Sequence, residues 1–128
     1  MRLLLDTHAA LWALESAKGL SRAARKAIEE AAEIRLSVVS PWELVIKAAL
    51  GRIELHRPVR EICRELEREF GAVELPVSLG HVLEVGRLPH HHGDPFDRLL
   101  IAQALVEGLT VVTRDSVFKS YGVPVVRA

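Results

Sequence analysis

Only four aspartates occur among the 128 residues: Asp6, Asp94, Asp97 and Asp115. Each stands where a strand end, a turn or a helix start is expected. Poor helix propensity and good capping ability explain where aspartate is missing, but not why several should converge. Asp6 closes the apolar run Arg2–Leu5, and a carboxylate there is costly unless it is paired, hydrogen-bonded or bound to a cation. Glu43 lies three residues past a predicted second strand ending at Ser40, and Asp115 two past a strand ending at Thr113. Asp97 falls in the first turn of the apolar helix that feeds that last strand. Ligands of open parallel sheets bind beyond the carboxyl ends of the strands, so topology allows Asp6, Glu43, Asp97 and Asp115 to face one crevice. Four carboxylates so placed repel one another and raise some of their pKa values. A divalent cation removes that conflict. Hard oxygen donors suit Mg²⁺ or Mn²⁺, and such a site can activate water and neutralise charge on a phosphodiester.

The same acids have local explanations. Ser40-Pro41-Trp42-Glu43 has the form of a capping box with proline at the first helical position, and Glu43 can pair with Lys47 one turn on. Asp94-Pro95-Phe96-Asp97 repeats the shape with Asp94 as N-cap, and Asp115 suits the cap of a short helix over Ser116–Tyr121. Lys47, Arg98 and Arg114 are candidate phosphate contacts. Their alternatives are ion pairs: Lys47 with Glu43, Arg98 with Asp94, and Arg114 with surface acids. Exposed pairs contribute only ~0–1 kcal/mol, so pairing would not preclude phosphate binding. His90-His91-His92, between Pro89 and Gly93, reads as a solvated loop, with His92 the member best placed to meet the site or a substrate phosphate. His8 is read as structural.

The positioning elements alternate between strand and helix. Strands are expected at Arg2–Leu5, Ile34–Ser40, Ala72–Pro76, Leu109–Thr113 and Val123–Val126. After the segment His8–Glu15, helices are expected at Arg22–Ala32 with Ser21 as N-cap, at Pro41–Leu50 ended by Gly51, and at Pro58–Phe70. Two more follow, Ser78–Gly86 and Asp94–Glu107. Val59, Ile62, Cys63, Leu66 and Phe70 form one helical stripe, which makes Cys63 a core residue. Leu99–Leu105 is apolar on nearly every side except Gln103 and reads as a central helix. This alternation predicts an α/β fold, a parallel sheet covered on both faces.

Composition narrows the class. The length suits one domain over residues 1–128, and 49% hydrophobic residues beside 27% charged ones argue against disorder. A single cysteine excludes a disulfide framework and any cysteine-built zinc site. No apolar run approaches the ~20 residues of a membrane span, and MRLLLD is not a signal peptide, so a cytoplasmic protein is expected. Seventeen basic residues balance seventeen acids. Nucleic acid would therefore have to be held by local patches. The six aromatics are scattered and offer no base-stacking platform, and Trp12 reads as core.

LLLDTHAALW at 3–12, SPWELVIKAALGRI at 40–53, LPHHHGDPFDRLLIAQA at 88–104 and LTVVTRDSVFKSYGV at 109–123 together resemble the PIN-domain ribonucleases. Within them they resemble the VapC-type toxins of toxin–antitoxin pairs. The resemblance covers essentially the whole chain. It implies a PIN-like three-layer fold, a small parallel sheet flanked by helices, and Mg²⁺- or Mn²⁺-dependent endoribonuclease activity leaving 5′-phosphate and 3′-hydroxyl ends. The family's acids fall on Asp6, Glu43, Asp97 and Asp115. Asp94 is left as a cap beside the site, and Thr113 would orient a carboxylate or the attacking water. The resemblance further implies an RNA substrate, a VapB-type antitoxin with a basic side chain in the acid pocket, and a homodimer.

Two rivals make distinct demands. An aspartyl-phosphate enzyme of the haloacid-dehalogenase type wants a second aspartate two residues after the first, where this chain has His8, and receiver domains want an acidic pair near the first strand. A catalytically inactive PIN-like module binding RNA or protein predicts a missing carboxylate, whereas all four positions are acidic.

Overall fold

Three consecutive leucines set the layers. Along β1 (Arg2–Leu5), Leu3 and Leu5 point into one core and Leu4 into the other, because successive strand side chains take opposite faces. A strand buried on both sides must be apolar on both faces, as the valines of the strand over Thr110–Thr113 also are. The computed structural model describes residues 1–14 and 19–128; Glu15, the end of the expected segment His8–Glu15, lies outside the described residues.

After β1 come α1 (Thr7–Leu14), α2 (Arg22–Glu30), β2 (Glu33–Ser37), α3 (Val39–Ala49), α4 (Val59–Phe70) and β3 (Val73–Leu75). The chain continues through α5 (Leu79–Arg87), α6 (Pro95–Glu107), β4 (Thr110–Thr113), α7 (Val117–Ser120) and β5 (Val125–Arg127). The strands form one sheet in the order β3-β2-β1-β4-β5, parallel at every pairing. On one face Leu3, Leu5, Ile34, Leu36 and Val112 pack against α1, α2 and α4 through Ala9, Ala24, Ile28, Ile62 and Leu66. On the other, Leu4, Val111 and Leu75 meet α6 and α7 through Leu100, Ile101, Ala104 and Phe118. The α/β, PIN-like three-layer arrangement expected from the sequence is the one observed. β1 lies at the centre, so Asp6 emerges in the middle of the sheet's carboxyl edge.

Local caps mostly follow the sequence. Ser21 accepts from the Ala24 amide at the start of α2, Asp94 accepts from the Phe96 and Asp97 amides, and Gly71 and Gly108 take the left-handed conformation that ends α4 and α6. The expected capping box at Ser40 does not form. Helix α3 begins at Val39, because the Val38 amide is taken by the Leu75 carbonyl and the Ser37 hydroxyl accepts from the Val39 amide. Pro41 then sits within the first turn, where its missing N–H costs no helical bond. This shift also shortens β2, which ends at Ser37 rather than Ser40. Helix α6 is central over Leu100–Ala104, but Leu105 and Val106 are exposed, so its apolar girdle is wider than its burial. Cys63 is half-buried against the first core, where burial pushes its thiol pKa up.

Candidate active site

Five carboxylates line one crevice of about 200 Å³ at the carboxyl edge of the sheet: Asp6, Glu43, Asp94, Asp97 and Asp115. Asp6 ends β1. Its amide donates to Val112 O on β4 (3.1 Å), and its Oδ1 accepts from the Ala9 amide (2.8 Å), so it caps α1 while facing the crevice. Thr113, at the end of the neighbouring strand, accepts from the Asp115 amide at 3.1 Å, and the same hydroxyl acts on the Asp6 carboxylate to lower its pKa against burial. One hydroxyl thus couples two of the acids. Asp115 Oδ1 also accepts from the Val117 amide (3.0 Å) and caps α7.

Glu43 is buried on α3. Thr7 donates to its Oε1 at 2.7 Å, with the Ser40 hydroxyl 3.1 Å from Thr7, and Lys47 Nζ donates to its Oε2. The Glu43–Lys47 pair expected from the sequence therefore exists, and Lys47 also lines the crevice. Its ammonium pKa is raised by Glu43 first, with Asp94 and Asp97 adding to the effect.

Asp97, on the first turn of α6, is the most perturbed acid. Burial and then the Asp94 charge push its carboxyl pKa from 3.8 to about 7, against a hydrogen bond from His92. Burial likewise raises Asp6, with Thr113, the Ala9 amide and His8 opposing it. Such shifts mark carboxylates gathered with too little positive charge. Among the described residues no three His, Cys, Asp or Glu side chains are arranged so that together they could hold a metal ion. The all-oxygen donor set and its charge excess nevertheless fit a hard divalent cation that keeps several of its waters.

His92 reaches the site from the loop before α6: its Nε2 is 3.4 Å from Asp97 Oδ2 and its Nδ1 2.7 Å from the Tyr121 hydroxyl. His90 and His91 are exposed. Arg98 corrects an expectation. It pairs with neither Asp94 nor solvent; its buried guanidinium donates to Pro89 O (2.8 Å), to the carbonyls of Val85, Leu88 and His92, and to Tyr121 Oη (3.1 Å). A guanidinium committed to five acceptors ties down the loop that carries His92 and is not free to contact phosphate. Arg114 likewise meets carbonyls rather than surface acids, donating to Gly19 O and Ala128 O, and lies 3.9 Å over the Trp12 ring.

Three participants escaped the sequence reading. His8, read as structural, is exposed and lines the crevice, its ring stacked on Trp12 at 5.7 Å. Thr7 serves Glu43, and its place directly after Asp6 was the available signal. Tyr121 left none, since its partner His92 is 29 residues away.

The chain matches the family model described as the PIN domain over residues 3–124. It is 35% identical over 121 residues to Ribonuclease VapC22 of Mycobacterium tuberculosis, covering 94% of this chain and 92% of that protein. In fold it resembles VapBC2 from Rickettsia felis bound to a promoter DNA fragment, with TM-score 0.73, 15% identity and 98% of both chains covered. It also resembles FitAcB from Neisseria gonorrhoeae, with TM-score 0.69, 20% identity and 98% and 96% covered. With its parallel sheet in the order β3-β2-β1-β4-β5 and its acids gathered at the carboxyl edge, the chain belongs to the PIN-domain family, among the homologues of the VapC ribonucleases.

Proposed function

We propose that this chain, acting as one PIN domain over residues 1–128, is a Mg²⁺- or Mn²⁺-dependent endoribonuclease and the toxin half of a cytoplasmic toxin–antitoxin pair. The observation that carries the reading is the crevice in which Asp6, Glu43, Asp94, Asp97 and Asp115 meet, with Lys47 as the one lysine or arginine lining it among the described residues. The identity to a named ribonuclease over most of the chain supports it.

Asp6, Glu43, Asp97 and Asp115 are the residues we assign to hold the cation, directly or through water. A divalent ion there supplies Lewis-acid polarisation of the phosphodiester and activation of water. The chain's own groups fix the geometry. Thr113 orients Asp6, Thr7 orients Glu43, and His92, braced by Tyr121, orients Asp97. Asp94 caps α6 and raises the Asp97 pKa, and so helps keep that carboxyl responsive to a cation. Lys47 supplies positive charge beside Glu43, where it can meet a substrate phosphate. Arg98 acts through the loop it holds.

The structural neighbours crystallised as VapBC with DNA support a protein antitoxin as partner. A crevice rich in carboxylates accepts a guanidinium through charge-assisted bonds as readily as a cation, so one feature can serve both activity and inhibition. A homodimer belongs to the same proposal. No helix among the described residues is long and apolar enough to cross a membrane.

The test is cleavage of defined transfer and ribosomal RNA fragments in Mg²⁺, with Asp97→Asn purified identically beside the parent. Cleavage by the parent alone, stopped by EDTA and restored by Mg²⁺, is the expected result. Equal cleavage by both proteins would falsify the assignment of Asp97. RNA binding by a parent that cleaves nothing would instead make the chain an inactive binding module.

A further inference from the structure

A second, smaller cleft of about 40 Å³ adjoins the acid crevice, sharing Asp115 with it, and is lined by Arg114, Lys119 and Arg127. We propose that this cleft is the track along which a single RNA strand enters or leaves the site, its phosphates held by Lys119 and Arg127 and its path bounded by Arg114. The inference rests on the ribonuclease reading and deepens it. It names where substrate outside the scissile bond is held.

The need comes from the charges. A crevice of five carboxylates repels a polyanion, and the chain as a whole is neutral, so attraction must be local. Among the described residues that line it, three cations against one side-chain carboxylate, Asp115, make this cleft positive where it meets the crevice. Position follows from the ladder: Arg127 on β5 pairs in register with Thr113 on β4, and the Thr113 hydroxyl accepts from the amide of Asp115, the acid that lines both the cleft and the crevice. Lys119 lies in the last turn of α7, the helix that Asp115 caps.

Availability separates these cations from the others near the site. Lys47 is bound to Glu43 and Arg98 to loop carbonyls. Lys119 and Arg127 are exposed, and neither makes an ion pair with any carboxylate among the described residues. Arg114 differs again. Its guanidinium is fixed by Gly19 O, Ala128 O and the Trp12 ring, so it presents charge without further loss of side-chain freedom. Contacts of this kind set register and orientation on the strand and carry no base information.

The experiment compares the parent with the double variant Lys119→Gln/Arg127→Gln on a single-stranded RNA fragment across a series of salt concentrations. KM is expected to rise about tenfold, with the loss falling on KM rather than kcat. The plot of log(kcat/KM) against log salt should become shallower by about 1.4, from about 0.7 per phosphate contact. The charge-preserving variant Lys119→Arg/Arg127→Lys should restore both values, which loss of folding would not allow. An RNA-cleaving parent beside a Gln/Gln variant of unchanged KM and slope overturns the track and leaves the ribonuclease reading standing. A parent that neither cleaves nor binds RNA overturns both.

Discussion

Glu33 and Asp97 stand at opposite ends of the sheet and show what the same functional group does in two electrostatic settings. Glu33 opens β2 at the amino edge, where Arg2 donates to one oxygen at 2.7 Å and Arg35 to the other at 3.0 Å. The Arg2 bond, with Arg35 assisting against desolvation, holds its carboxyl pKa below the usual value. Asp97 faces other acids, and burial with the Asp94 charge takes its carboxyl to about 7. One carboxylate accepts from two guanidinium groups. The other shares the crevice, among the described residues, with four carboxylates and one ammonium. The first carboxylate is neutralised by its own neighbours; the second is left with an excess of negative charge that suits a cation. Unsatisfied charge at one edge, beside satisfied charge at the other, distinguishes a site from a structural network.

The sharpest way to break this contrast is Asp97→Asn. It should reduce kcat on RNA by about 10³-fold or more while the circular dichroism spectrum stays that of the parent. Next is Arg98→Ala, which strands buried carbonyls of the loop bearing His92 and should lower unfolding stability by about 3 kcal/mol in urea titration. Arg98→Lys should recover little, because one ammonium cannot serve five acceptors in fork geometry.

The pH dependence of the metal-free protein gives a third test. An acid with its folded pKa above its unfolded one binds more protons in the fold, so its contribution to stability falls as pH rises between the two values. For Asp97 that interval runs from 3.8 to about 7. Melting in EDTA should therefore show a loss of stability across this range. Asp97→Asn should remove that loss and raise the Tm at pH 7.5 by about 5 °C, and Mg²⁺ should stabilise the parent there but not the variant. A smaller effect is expected from Lys47→Ala, about threefold in KM, read from steady-state cleavage. Glu33→Gln is the matching control at the other edge. It should leave cleavage unchanged and move the Tm least of the series.

Much of this molecule was legible locally. A carboxylate after three leucines, Ser21 and Asp94 before their helices, and apolar runs closed by polar residues are patterns spanning a few positions. They gave the strands, most helices and the acids at their ends. Local pattern also misled where backbone partners came from afar. The Ser40 box yields to a helix start at Val39 because β3 takes the Val38 amide and Ser37 caps the turn. Arg98, four residues from Asp94, meets the carbonyls of a preceding loop instead.

The sequence by itself determined which positions are charged, which strands are buried on both faces and where acids follow strands, because these depend on residue type and short-range periodicity. Only the tertiary structure decided which acids share a crevice, which cations are already committed, and that Thr113, which accepts from the Asp115 amide, stands beside the strand that leads into Asp6 with Arg127 in register on its other side. Those relations arise from parallel pairing between segments 14 to 107 residues apart, and pKa values and free charges follow from distance and burial, which no local pattern encodes.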